Sequence, residues 1–456
     1  MKLVKISFLG AAGTVTGSKF YIETSQENLL IDCGMFQGIK ELRELNWRDL
    51  PIDASQIDIV LLTHGHLDHS GYLPRIVKQG FEGKIIGTSP TLAITEIILR
   101  DSAKIHEEEA EKARNEGYSK HDPVLPFYTE KDVEKTIKHF QHQEKDTWIS
   151  VSQDIQYRFR YNGHIIGATF IELNLFGKIV VFSGDVGRKE DVLLRPPSTL
   201  DWADFIFLES TYGNKLHPNE NVEEKLIELV NKTVYDRGTL IIPSFAVERL
   251  QTLMYILWKL YQKNKIPNIP IYVDSPMGNN VLSVFESFPS WHKLPMNEFH
   301  SLCHHINIVT SYRETWEVID NPHPKIVIAG SGMVTGGRVL TYLKQLIDTD
   351  TTSVLLVGYQ AEGTRGRQLQ EGAHEIKLYG KHYPVKAQIH HIESLSAHAD
   401  QQELLDWIND IKNIPEKIFL VHGEATALDA LRVKIQDIHG WKVHIPKLHE
   451  VHNIMV

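Results

Sequence analysis

An α/β protein is the fold class that this sequence predicts, on three observations. Short apolar runs, each closed by a polar residue or a glycine, alternate with longer helical stretches. From Gly238 onward they fall into strand–loop–helix units in series, as a parallel sheet with covering helices requires. The 456 residues, 42% hydrophobic and 23% charged, are ample for two ordinary globular cores.

The N-terminal "MKLVKISFLGAAGTVTGSKFYIE" reads as strand, tight turn, strand, because Gly, Thr and Ser interrupt it too early for a signal peptide. "NLLIDCG", "IDIVLLTH", "GKIIGT", "KIVVFSGD" and "DFIFLEST" read as buried strands, and Thr91 to Gln143 as mainly charged helix. Then come "GTLIIPSFAVERLQTLMYILWKLYQK", "PIYVDSPMGNNVLSVFESF" and "KIVIAGSGMVTGGRVLTYLKQLI", each a strand followed by an amphipathic helix, and the strand "SVLLVGY". From about Tyr379 short strands return ("AQIHHIESL", "KIFLVHG") with one helix between them. No window approaches the ~18 apolar residues of a membrane span. Two cysteines, Cys33 and Cys303, build no disulfide framework. Both points lead us to expect a cytoplasmic protein without membrane partners.

The chemistry starts at "THGHLDHSG", directly after an apolar strand. His64 and His66 lie two apart and can face one side of an extended segment, while the adjacent Asp68 and His69 more easily serve different ions. Imidazole and carboxylate suit zinc or a similar metal. Other strand ends add His164 in "NGHIIGAT", Asp185 in "VVFSGDVG" and His422 in "IFLVHGE". Each alone could be a cap or a satisfied buried polar group; together they make seven candidates. A shared two-ion site needs about that many, whereas a closed structural zinc needs only about four ligands, usually with cysteine.

These residues resemble the metallo-β-lactamase superfamily, which implies an αββα sandwich with a dinuclear site at one edge. By that resemblance His64, His66 and His164 bind the first of two zinc ions per chain. Asp68, His69 and His422 bind the second, Asp185 bridges them, and Asp32 in "LLIDCGMFQG" orients the ligands from behind. More than two hundred residues separate Asp185 from His422, and the α/β rhythm lies inside that gap, so it looks like an inserted domain. "FLESTYG" with Glu209, "IPSFAVERLQ", "VDSPMG", "GSGMVTGGRVLTYL", "GYQAEGTRGRQL" and "SAHAD" with His398 resemble the β-CASP nucleases. That family includes the endonuclease subunit of the cleavage and polyadenylation specificity factor and compact bacterial relatives. The lack of KH domains ahead of the catalytic fold, and of a further C-terminal domain, leads us to expect the compact bacterial type.

The expected organisation is 1–208 and 376–456 for the metallo-β-lactamase fold, with a parallel-sheet β-CASP domain inserted at 209–375. The implied function is a zinc-dependent ribonuclease, more an endonuclease than a 5′ exonuclease, acting on single-stranded RNA in a cleft between the two domains. In it a water shared by the two ions attacks phosphorus and leaves 5′-phosphate and 3′-hydroxyl ends. His398, held protonated by Glu209, is the implied acid, and the resemblance is also compatible with a homodimer. The histidine at position 422 matches RNA-acting rather than DNA-acting members.

A hydrolase of small thioesters or lactams, the competing class, predicts no long insertion. "GSGMVTGG" imitates a dinucleotide fingerprint, but the next strand ends in Gly358 and Tyr359 without the acidic residue that a ribose needs. Its glycines suit phosphate, which makes Ser331, Gly332 and Arg338 candidate RNA contacts, with Arg249 and Arg365 behind them. The formal net charge of −10 speaks against a broad nucleic-acid surface unless bound cations supply the positive field locally.

Overall fold

The computed structural model describes residues 2–116 and 123–456. The chain divides into two compact units, Met1–Leu216 with His398–Val456, and His217–Ala397. Among the described residues the first unit holds two seven-stranded sheets. In one, the antiparallel strands Leu3–Phe8, Phe20–Glu23 and Asn28–Ile31 continue into the parallel strands Ile59–Leu61, Lys84–Gly87 and Phe140–His142. Val451–Met455 closes its other edge. In the second, Ile149–Ser150, Ile155–Tyr161, Thr169–Leu175 and Lys178–Phe182 pair antiparallel, and Phe205–Glu209, Lys417–Val421 and Val443–His444 add parallel strands.

Residue alternation explains why the two sheets stack. Phe205 and Phe207 join Phe8, Phe20, Phe182 and Phe419 in the core between the sheets, while Ile206 and Leu208 join the layer outside. The run "FIFL" is continuous because both faces are buried. The helices Gln401–Asn409 and Ala425–His439 cover the outer face through Leu404, Trp407, Leu428 and Leu431. The other sheet is covered through Leu73, Ile76, Leu99 and Val133. The result is the expected αββα sandwich. Phe207 stacks on Phe182 at 4.3 Å and on Phe419 at 4.8 Å, and truncating such a ring to alanine costs about 3–5 kcal/mol.

The second unit is built on a six-stranded sheet in the order Asn307–Ile308, Ile271–Asp274, Lys325–Ala329, Thr239–Pro243, Ser353–Val357, Gln388–Ile392. Every neighbouring pair is parallel. Lys325–Ala329 is buried at every position, as a central strand between two helical layers should be. Gln388–Ile392, grouped from sequence with the C-terminal segment, is an edge strand of this sheet.

Candidate metal centre

All seven candidate ligands lie in the first unit, where strands of both sheets end. His64 comes three residues after Ile59–Leu61, and His66 caps the short helix Leu67–Ser70 that carries Asp68 and His69. His164 sits in the turn between Ile155–Tyr161 and Thr169–Leu175, Asp185 follows Lys178–Phe182, and His422 follows Lys417–Val421. Close backbone approach makes this crowding possible. A Cβ on Gly34 would lie 1.6 Å from the Asp68 carbonyl oxygen, so only glycine lets the Asp32 turn pass under the motif helix.

The ligand atoms form two groups around one carboxylate. His66 Nδ1 is 3.1 Å from His64 Nε2 and 3.2 Å from His164 Nε2, and Asp185 Oδ2 is 3.4 Å from each of those Nε2 atoms. On the other side His422 Nε2 is 3.3 Å from both His69 Nε2 and Asp68 Oδ2, while Asp185 Oδ1 is 3.2 Å from His69 Nε2. Tetrahedral ligands bonded to zinc at about 2.0–2.1 Å are separated by about 3.3–3.4 Å. The spacings are those of donors around a cation: His64, His66, His164 and Asp185 form one compact group and Asp68, His69 and His422 a second, with Asp185 Oδ1 against His69. This Oδ1 is buried, makes no hydrogen bond of good geometry among the described residues, and has as its polar neighbours the imidazoles of His69 at 3.2 Å and His422 at 3.6 Å.

Side-chain oxygens fix the opposite ring nitrogens. Asp32 accepts a hydrogen bond from His69 Nδ1 at 2.7 Å and is itself held by the Thr63 backbone N–H and hydroxyl. The Thr63 hydroxyl lies 3.0 Å from His64 Nδ1, and that of Thr211 lies 3.2 Å from His422 Nδ1. These contacts aim each Nε2 inward, which is how metal-ligating histidines are oriented. Asn162 donates from Nδ2 to the carbonyls of Ser183 and Asp185, tying the His164 turn to the Asp185 turn. Sequence reasoning missed Thr63, Thr211 and Asn162. Each stands within two residues of a singled-out position, but nothing in the sequence says which way a hydroxyl or amide points.

Electrostatics divides the histidines. Burial pushes His64 down to about 3 and His66 to about 4, and holds His164 well below its ordinary value, so these three keep neutral lone pairs. Burial would also depress His69 and His422, but the charge of Asp185, aided by Asp32 at His69 and Asp68 at His422, outweighs it and raises both. Burial opposes the charged form of Asp68 and Asp185, yet the surrounding histidines hold both carboxyls below the usual range.

Beside this cluster lies a second pair. His398 Nδ1 is 3.2 Å from Glu209 Oε1, and the His398 ring is 4.5 Å from that of His164. Glu209 is fully buried and accepts from the backbone N–H groups of Val186 and Thr211. A β-bridge between Gly187 and His398, and a capping box of Asp400 and Glu403 on the next helix, fix the backbone there. Burial would lower His398, but the Glu209 charge and hydrogen bond outweigh it, so the imidazole is held toward its protonated form.

The remaining candidates lie in the second unit. Ser331 Oγ accepts from the N–H groups of Thr335 and Gly336 and so braces its own loop, and Gly332 packs under the Phe245 ring. The Arg338 guanidinium donates to Thr315 Oγ1, lies 3.5 Å from buried Asp274 and sits 3.7 Å from the Tyr312 ring centre. Arg365 donates to the carbonyls of Val334, Thr335 and Lys377. Arg249 is buried, and its guanidinium fills the space where a side chain on Gly358 would be. No helix among the described residues is long and apolar enough to cross a membrane.

Three family descriptions match successive parts of the chain: the metallo-beta-lactamase superfamily over residues 13–233, the Beta-Casp domain over 250–369, and the Zn-dependent metallo-hydrolase RNA specificity domain over 382–446. Ribonuclease TTHA0252 of Thermus thermophilus is 32% identical, covering 98% of this chain and 99% of the relative. An RNase J-like protein of Methanocaldococcus jannaschii is 30% identical, covering 92% and 93%. The transcription termination factor FttA of the same organism is 31% identical, covering 92% of this chain and 67% of the relative. A solved structure from Enterococcus faecalis, a protein of unknown function, shares the fold over the full length of both chains, with a TM-score of 0.56 and 13% identity. Near-complete coverage at this identity, with the three matches in one order along the chain, carries the conclusion: the chain belongs to the β-CASP family of metallo-β-lactamase-fold ribonucleases.

Proposed function

We propose that this protein is a zinc-dependent ribonuclease of the cytoplasm that hydrolyses internal phosphodiester bonds of single-stranded RNA, leaving 5′-phosphate and 3′-hydroxyl ends. The observation that carries the proposal is Asp185 between two histidine groups, with the Glu209–His398 pair alongside. His64, His66, His164 and Asp185 would hold one ion, and Asp68, His69, His422 and Asp185 the other. Two zinc ions, when bound there, would supply a water of near-neutral pKa and positive charge to offset that of the phosphate.

The chain's own residues do the rest. Neutral His64, His66 and His164 keep their lone pairs for the ion instead of a proton. Asp32, Thr63 and Thr211 stop the rings from turning away. Glu209, immobilised by two backbone N–H groups, holds His398 charged. His398 Nε2 then gives its proton to the departing 3′ oxygen as the P–O bond breaks. The RNA-facing element of the second unit is the loop Gly330–Gly337.

The test is incubation with RNA labelled at either end, using wild type, His398→Ala and Asp185→Ala. Discrete internal fragments with 5′-phosphates are expected from wild type, and little or no product from the variants. Ladders from the 5′ end would replace endonuclease by exonuclease. Turnover of a thioester, or of DNA, with none of RNA would overturn the reading.

A further inference from the structure

We propose that Tyr312, backed by Arg338, is a stacking position for a nucleobase of single-stranded RNA; this rests on the ribonuclease reading above. Arg338 opens the helix Val339–Leu346 that follows the loop from Gly330. Its guanidinium is fixed from below. Asp274 is fully buried and accepts through Oδ2 from Thr315 Oγ1 and Tyr342 OH, at 2.6 and 2.9 Å. That leaves Oδ1, which makes no hydrogen bond among the described residues, turned to Arg338. With its charge balanced by Asp274 and one N–H given to Thr315, this guanidinium is a poor phosphate ligand. What it does instead is lie 3.7 Å from the Tyr312 ring centre.

Tyr312 is therefore held on one face by a cation and is 59% exposed. A ring so fixed has already lost the side-chain freedom that binding would otherwise cost. Its place favours a ligand: Tyr312 and Arg338 stand beyond the carboxyl ends of the parallel strands Ile271–Asp274 and Lys325–Ala329, the edge where parallel sheets bind ligands. Phe245, 40% exposed and in the loop after the strand Thr239–Pro243, lies against Gly332 and adds a second aromatic surface at this edge. The arginines there, Arg338 and Arg365, are engaged by protein acceptors. Grip at this edge thus comes from ring faces more than from charge. Single-stranded RNA supplies the matching chemistry, because every base has a face that stacks on an aromatic ring.

The experiment measures kcat and KM on a single-stranded oligoadenylate across a salt series, with wild type, Tyr312→Phe, Tyr312→Leu and Tyr312→Ala. Stacking on one base sets the scale at about tenfold in KM for the Ala variant. We expect kcat within about twofold of wild type, and a slope of log KM against log salt unchanged, because no phosphate contact is lost. Tyr312→Phe should match wild type, and Tyr312→Leu, which keeps bulk without a π face, should follow Ala. A Leu or Ala variant with the wild-type KM overturns the stacking position alone. Wild type that neither binds nor cleaves the oligonucleotide overturns the ribonuclease reading and this inference together.

Discussion

Both units gather polar residues at the carboxyl ends of parallel strands, yet they use them in opposite ways. In the sandwich unit the histidines and carboxylates converge, and Asp185 Oδ1 is left without a hydrogen bond where two ligand groups meet. In the inserted unit Asp274 Oδ1 also makes no hydrogen bond among the described residues, but it faces the Arg338 guanidinium at 3.5 Å, while Ser331 and Arg365 are engaged by the backbone. A carboxylate that faces a fixed guanidinium belongs to a frame, while one that faces only imidazoles leaves a place for a cation and belongs to a site. Removing a group of the second kind should cost chemistry, and removing one of the first kind should cost stability.

The largest effect is expected at Asp185, the residue proposed to serve both ions. Asp185→Ala should lose activity by about a thousandfold or more, since several kcal/mol of charge stabilisation depend on the ions it aligns. Native mass spectrometry should find fewer than two ions bound. Two tightly held ions in that variant would break the shared-carboxylate geometry. His398→Ala should fall next, by about 10²–10⁴ in kcat, the usual worth of a general acid. Its metal content should stay close to that of wild type, because His398 is not one of the seven proposed ligands and its Nδ1 is turned to Glu209 at 3.2 Å.

Much of this was legible from one sequence, for a physical reason. A strand that ends in a site residue writes an apolar run followed by His, Asp or Glu, and five such endings survive as local patterns: Asp32, His64, Asp185, Glu209 and His422. The pairing of Glu209 with His398, 189 residues apart, left no local trace and came from family resemblance. Direction was not legible either. Arg338 in "TGGRVL" reads as a phosphate ligand until Asp274 and Tyr312 are found on either side of it. The edge strand Gln388–Ile392 was misplaced because "AQIHHIESL" is as short and mixed as the C-terminal strands it precedes. An apolar period reveals a strand but not its neighbour.

Thr211→Val tests the orienting hydroxyls at smaller scale. The substitution keeps the shape and removes the oxygen 3.2 Å from His422 Nδ1. Loss of such a partner weakens metal binding by about 10–100-fold. Competition with a chelator should therefore strip one ion before the other, whereas wild type should release them closer together. Equal retention in both proteins would mean that His422 is aimed by packing alone.

The smallest effect is expected at Ser331, and it separates frame from site most sharply. Its hydroxyl accepts from two backbone N–H groups of its own loop, at 3.0 and 3.1 Å. Ser331→Ala orphans those donors, but Thr335 is exposed and Gly336 partly so, and water can replace the lost acceptor. The cost should be about 1 kcal/mol, or roughly 2–4 °C in the unfolding of a unit of this size. KM for RNA should rise less than it does for Tyr312→Ala, and kcat should not move. If instead kcat fell with stability unchanged, the hydroxyl would be reaching the reacting phosphate, and Ser331 would belong with Asp185 rather than with Asp274.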